Sequence, residues 1–244
     1  MNKIKTILLS VLATICVGAV LFGGIACSRR VDASLCVQVE MVVGDSLTRQ
    51  YVDADALVGY LKSRQLYALG KAMTDVDCHA IEQALLQHPM LRTANCYKSP
   101  FGELRIRVTQ RVPMLYVKNG QEVYAVDTDR KPMPYLPAMD SENLMRVTGT
   151  VSPRAVSEEY FDFALWLQDH AYWANRIKTI CVHHPKHVVL QQKDYAANVV
   201  LGPLDGYPAK LRRLQNLYTK GFDQLGYPDC RELDLRFDGQ VIKR

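Results

Sequence analysis

His183, His184 and His187 form the densest cluster of metal-capable side chains in the sequence. Imidazoles at such spacing gather around metal ions, but on a strand or turn these rings point in different directions. No Cys or carboxylate nearby completes a tetrahedral set. Pro185 and Lys186 point instead to a turn joining two strands. Glu158-Glu159 and Asp127 with Asp129 are the groupings from which an acid–base pair would be drawn. The first fits a solvated helix face and the second a turn. No serine stands in G-x-S-x-G, and neither phosphate loop, G-x-G-x-x-G or G-x-x-x-x-G-K-[ST], is present. The expectation is a chain that is not an enzyme, with no catalytic residue, no metal and no cofactor.

Composition narrows the remaining classes. The chain has 244 residues, 48% hydrophobic and 23% charged, enough for two small folded domains. Its net charge of +5 comes from Lys and Arg interspersed with Asp and Glu, without the clustered stripe of a nucleic-acid footprint. Seven Cys occur with no CxxC and no repeated spacing, which fits neither a zinc site nor a redox motif, so they are expected as small core residues. In an oxidising compartment Cys36, Cys78, Cys96, Cys181 and Cys230 form an odd set, and at least one keeps its thiol.

The elements that position these residues can be read from periodicity. Lys3 and Lys5 precede an uncharged stretch, 7–26, which as a helix spans about 30 Å, the thickness of a bilayer core. A retained membrane anchor is expected. Gly24-Ile25-Ala26 also fits a small-x-small cleavage site and Ala26-Cys27 the end of a lipoprotein signal, so a secreted or lipid-anchored envelope protein stands as the alternative. Arg29 and Arg30 balance Lys3 and Lys5 across the span, and the amino terminus tips the orientation toward a cytoplasmic start.

Val37, Val39 and Met41 alternate with Gln38 and Glu40, a one-sided strand. Asp53 is placed to cap a helix with Leu57, Tyr60 and Leu61 on one face, and Asp77 a second with Ile81, Ala84 and Leu85; Pro89 ends it. Leu91 to Tyr97 and Leu104 to Thr109 are strands around the turn cluster Ser99-Pro100-Phe101-Gly102. In the latter, Leu104, Ile106 and Val108 alternate with Arg105, Arg107 and Thr109. The order is strand, helix, helix, strand, strand, with two helices for one face of a three-stranded sheet.

Beyond it, Asn119-Gly120 signals a hairpin between Met114 to Lys118 and Glu122 to Asp127. Met145 to Gly149 is a short strand, and Ser152-Pro153 opens a helix to about His170 with Phe161, Leu165 and Trp166 on one side. Ile177 to Val182, Val188 to Gln191 and Ala197 to Leu201 are further strands. A helix from Tyr207 to about Leu225 carries Leu211, Leu214 and Tyr218 on one face, with Lys210, Arg212, Arg213 and Lys220 as an amphipathic wet face. Arg231 to Val241, in which Leu233, Leu235 and Phe237 alternate with Asp234, Arg236 and Asp238, reads as a terminal strand. One edge of that strand is either open to a partner or guarded by Lys243 and Arg244.

Ile81-Glu82-Gln83-Ala84-Leu85, His88-Pro89-Met90-Leu91, Gly102-Glu103-Leu104-Arg105-Ile106-Arg107-Val108 and Gln110-Arg111-Val112-Pro113 resemble the POTRA domain of the bacterial division family FtsQ/DivIB. Tyr124-Ala125-Val126-Asp127 with Lys131 resembles the start of that family's second domain. The likeness implies an α+β chain: a cytoplasmic tail (1–6), a transmembrane helix (7–26), a linker (27–34), a POTRA domain (35–111) of order β-α-α-β-β, and a C-terminal β-rich domain with flanking helices (112–244). It further implies a single-pass scaffold of the divisome that binds FtsB and FtsL at the septum and helps recruit wall synthesis. In the family the last strand receives FtsB by strand addition. Leu233-Asp234-Leu235-Arg236-Phe237-Asp238 resembles its closing run, which carries the partner role onto Leu235, Arg236 and Phe237.

Overall fold

The computed structural model describes residues 15–19, 34–44 and 50–244. Residues 15–19 are helical, and the remainder of the expected membrane span over 7–26 lies outside the described residues. Among the described residues no helix is long and apolar enough to cross a membrane. The chain divides into two units with the boundary between Gln110 and Arg111.

In the first unit β1 (Gln38–Val43), α1 (Ala54–Ser63), α2 (Cys78–Leu86), β2 (Leu91–Lys98) and β3 (Glu103–Gln110) follow one another, with one 3-10 turn at Met73–Asp75. β3 is central, parallel to β1 and antiparallel to β2. Its alternation decides which face is covered. Leu104, Ile106 and Val108 are buried with Leu57, Leu61, Ile81 and Leu85 of the helices, while Arg105 and Arg107 stay in water. Asp77 caps α2 by accepting the Ala80 N–H at 3.0 Å. Asp53 occupies the cap position of α1 with extended backbone, but its side chain makes no capping bond. Gln110, also buried, accepts the N–H groups of Tyr51 and Val52 on Oε1 at 2.5 and 2.9 Å, which fastens the approach to α1 onto the end of β3.

The second unit is built on a nine-stranded mixed sheet. Its strands are β4 (Pro113–Asn119), β5 (Glu122–Asp127), β6 (Pro132–Pro134), β7 (Met145–Gly149), β8 (Ile177–His184), β9 (His187–Gln192), β10 (Asn198–Gly202), β11 (Glu232–Asp234) and β12 (Ile242–Lys243). They lie in the order β12-β11-β10-β9-β8-β7-β4-β5-β6. Two helical runs, with α3 (Phe161–Asp169) and α4 (Tyr207–Leu217) as their regular parts, complete the core. Phe163, Leu167, Leu211, Leu214 and Tyr218 are buried in one cluster with Leu115, Val147, Ile180, Leu190 and Val199 of the sheet.

Local chemistry adjusts two of the expected elements. The β4–β5 connection falls one residue later than the Asn119-Gly120 signal, because Asn119 pairs with Glu122 as the last rung of the ladder. Its side chain is committed elsewhere: Nδ2 donates to the Val151 carbonyl at 2.9 Å and Oδ1 accepts the Val151 N–H at 3.3 Å. Ser152 caps the next helix by accepting the Ala155 N–H at 3.2 Å, with Pro153 in the first helical position. A π turn at Val156–Tyr160 then adds a residue to the winding ahead of α3. The buried face is therefore Phe161, Phe163, Ala164 and Leu167, and Leu165, expected inside, is exposed.

Candidate partner-binding edge

A mixed sheet of nine strands ends in two edges, and an edge is where unpaired N–H and C=O groups can take a further strand. On one side the outer strand is β6, Pro132-Met133-Pro134, in which two of three residues have no N–H to offer. On the other side the outer strand among the described residues is β12, antiparallel to β11. Arg244 and Glu232 exchange both backbone bonds, Arg244 N–H to Glu232 O at 3.0 Å and Glu232 N–H to Arg244 O at 3.1 Å. Lys243 is the next residue along, so by the alternation of an antiparallel ladder its N–H and C=O are directed away from β11.

The terminal strand expected over Arg231 to Val241 is thus replaced by two short strands, and the reason lies in Asp234. The period-two pattern puts Asp234 on the wet side, yet it is fully buried. Its carboxylate accepts the backbone N–H of Arg236 at 3.1 Å, and Arg236 Nε and Nη2 at 2.9 and 2.6 Å. A side chain that gathers its neighbour's backbone competes with the ladder. The Leu235 N–H still reaches the Val200 carbonyl at 2.9 Å, after which the chain leaves β10 and turns back at Asp238-Gly239, where Gly239 has φ +75°. Asp-Gly is the sequence signal that marks this reversal.

The three expected partner residues consequently have unlike surroundings. Leu235 is buried, and its carbonyl accepts Arg213 Nη2 at 2.8 Å, so it anchors the tail from inside. Arg236, expected to face a partner, spends its guanidinium on Asp234, an ion pair within the chain. Phe237 is 42% exposed, in the link between β11 and β12. The edge residues Ile242 and Lys243 were not among the sequence candidates.

Other groupings are absorbed by the fold. His184 Nδ1 accepts the Lys186 N–H at 3.2 Å and so closes the β8–β9 turn, with the His183 and His187 rings 5.5 Å apart. Asp127 Oδ1 accepts the N–H groups of Asp129 and Lys131, as a turn carboxylate does, and Glu158 pairs with Arg154. On α4, Lys210 donates to the Pro203 carbonyl at 2.8 Å and Arg213 to Leu235, which leaves Arg212 and the following Lys220 in water. An open cleft of about 400 Å³ is lined by Tyr116, Tyr135, Asp140, Arg146, Lys178 and Lys193 among others. Four of them engage one another: Arg146 lies over the Tyr116 ring at 5.0 Å and pairs with Asp140 at 3.2 Å, and burial with the Asp140 hydrogen bond pushes Tyr135 up to about 12.

Comparison with known families gives two matches. A POTRA-like domain model covers residues 34–109, and a model described as FtsQ/DivIB, C-terminal related, covers residues 112–243, more than half of the chain. The chain belongs to the FtsQ/DivIB family. No curated protein shows a significant match to it. The two matched regions of this FtsQ/DivIB protein are a POTRA-like α+β unit and a β-rich unit with mixed helices, and the family is one of cell-division scaffolds.

In this FtsQ/DivIB chain the hook at Asp234 makes the edge sensitive to acid. Hydrogen bonds from Arg236 hold the Asp234 carboxyl below the ordinary carboxylate range, against the opposing effect of burial. A carboxyl whose pKa is lower folded than unfolded stabilises fully above its unfolded pKa, about 3.9, and that contribution is lost as pH falls through the folded value. The difference in melting temperature between wild type and Asp234→Asn is therefore expected to be constant above about pH 5 and to shrink below about pH 4. A difference that stays the same across pH 6 to 3 would contradict this role.

Proposed function

We propose that this FtsQ/DivIB chain is a non-enzymatic, single-pass scaffold of the divisome, with a cytoplasmic amino terminus and both units on the outer face of the cytoplasmic membrane at the septum. It binds partners of the FtsB and FtsL type and so helps recruit septal wall synthesis proteins. The uncharged stretch 7–26, with Lys3 and Lys5 before it, supports the anchor. The observation that carries the partner role is the contrast between the sheet's two edges: β6 is closed by Pro132 and Pro134, whereas β12 turns the backbone groups of Lys243 outward with exposed Phe237 in the link before it. Strand addition then supplies main-chain hydrogen bonds, and the Phe237 ring supplies an apolar anchor for a pocket on the partner.

The test is titration calorimetry of a fragment, 31–244, with the extracytoplasmic segments of FtsB and FtsL from the same cell. Phe237→Ala is expected to weaken the complex by about 2 kcal/mol or more, roughly thirtyfold in Kd. Circular dichroism establishes that the variant is folded. Unchanged affinity in a folded variant removes Phe237 from the interface.

A further inference from the structure

Four large apolar side chains stand in water at one end of the first unit. β1 and β3 are parallel and β2 is antiparallel to β3, so the start of β1, the start of β3 and the turn from β2 into β3 share that end. Leu35 and Val37, which lead into β1, are 59% and 67% exposed, with Cys36 buried between them. The turn carries Phe101, 81% exposed. Its backbone is fixed: the Phe101 N–H donates to Ser99 Oγ at 3.3 Å, the Ser99 N–H to the Glu103 carbonyl at 2.8 Å, and the Gly102 carbonyl accepts the Val37 N–H at 2.9 Å. Gly102 sits so close to the entering chain that a Cβ there would lie 2.7 Å from the Leu35 carbonyl oxygen and 3.4 Å from Val37 Cγ2. Leu69, 49% exposed, comes alongside because the Gly70 N–H reaches the Cys36 carbonyl at 2.8 Å. Single exposed apolar residues are ordinary, whereas four gathered on a fixed backbone mark a surface that is covered in use.

We infer that this end of the POTRA-like unit lies in the interfacial layer of the bilayer, with Phe101, Leu35, Val37 and Leu69 buried among the lipid headgroups. The inference rests on the proposed anchor over 7–26. Eight residues, 27–34, separate that stretch from Leu35, and fully extended they reach at most about 29 Å. The chain enters the unit at the end that carries the patch, so the tether brings this end to the membrane surface and leaves the opposite end, where β3 closes at Gln110, farther away. A short tether also supplies a high effective concentration, so an affinity too weak to hold a free domain on a bilayer suffices here. Charges around the patch are mixed: Lys71 and Lys98 lie at this end and Arg29 and Arg30 in the tether, against Asp32, Asp75 and Glu103. Burial of apolar surface is therefore the main attraction, as it is for Phe and Leu side chains set about 5–10 Å into an interface.

The test uses the full chain with Phe101→p-benzoylphenylalanine, reconstituted into vesicles of phosphatidylethanolamine and phosphatidylglycerol and irradiated. Lipid adducts are counted by mass spectrometry. The same photoprobe at Leu86 gives the background, since Leu86 is also an exposed apolar residue but ends α2, where the chain turns back toward the start of β2 at the opposite end of the sheet. The expected result is lipid labelling from position 101 about fivefold or more above that from position 86. Val37→Asp, added to the Phe101 probe chain, is expected to bring that labelling down to the background, with circular dichroism establishing the fold. Retention of the chain through an alkaline wash reads the anchor separately. A retained, folded chain that labels lipid equally from both positions, or crosslinks from position 101 to protein instead of lipid, would overturn the inference while leaving the anchor in place. Labelling that Val37→Asp leaves unchanged would overturn the patch as the contact. A chain lost from the washed vesicles would overturn the anchor, and the inference with it.

Discussion

Gly149→Ala is expected to destabilise the C-terminal unit by about 4 kcal/mol or more, the range that marks direct steric conflict. Gly149 is the last residue of β7 and stands opposite Val182 of β8. A Cβ at this position would lie 1.9 Å from the Val182 carbonyl oxygen and 2.7 Å from its carbon, both backbone atoms that cannot swing aside. The backbone also has φ +127°, which side chains other than glycine's rarely tolerate. The two strands would have to part, although β7 and β8 lie near the middle of the sheet and carry Val147 and Ile180 into the core. Urea unfolding of wild type and variant measures the effect. A midpoint and slope within error of wild type would show that the β7–β8 contact can relax where this packing says it cannot.

Asp127→Ala is expected to cost about 3–5 kcal/mol, because it leaves a largely buried arginine without its counter-charge. Asp127 is 2% exposed, and its Oδ2 accepts Arg111 Nε at 2.6 Å. Arg111 continues to the carbonyls of Lys131 and Pro132 at 2.9 and 3.1 Å, while Asp127 Oδ1 takes the N–H groups of Asp129 and Lys131. One carboxylate thus joins the start of the unit to the β5–β6 turn. Replacing Arg111 and Asp127 together by apolar residues of similar volume is expected to recover much of the loss, since the desolvation of both charges is then relieved. A double variant no more stable than Asp127→Ala, in the same urea assay, would locate the effect in the turn rather than in the buried pair.

How much of this was legible before the structure depended on whether neighbours in sequence were also neighbours in chemistry. The alternation of Leu104, Ile106 and Val108 with Arg105 and Arg107 gave the covered face of the first sheet, because a strand with one wet side writes its period directly into the sequence. The buried face of α4 and the turn that follows it was equally plain in Leu211, Leu214 and Tyr218. Tyr124 to Asp127 carried a family likeness, but nothing in that text tells that Asp127 is a buried partner of Arg111. The tail hides its geometry for the same kind of reason. Asp234 looks like an outward residue and is in fact buried and bonded to its own neighbour Arg236, so a regular alternation conceals a hook. The Asp238-Gly239 turn was the available correction, and with it the outer strand moves to Ile242–Lys243. The demand at Gly149 is set by the Val182 carbonyl of another strand, a contact no local pattern announces.

The proposed function requires a division partner to add a strand to the β12 edge. Backbone hydrogen exchange on the complex of the 31–244 fragment with the FtsB and FtsL segments tests it most directly, because strand addition protects amides that face outward in the free protein. The prediction is slowed exchange in the peptide covering Ile242, Lys243 and Arg244, with no change at β6, whose Pro132 and Pro134 leave little to pair. Protection at β6 or in the first unit, with 242–244 exchanging as in the free chain, would contradict it.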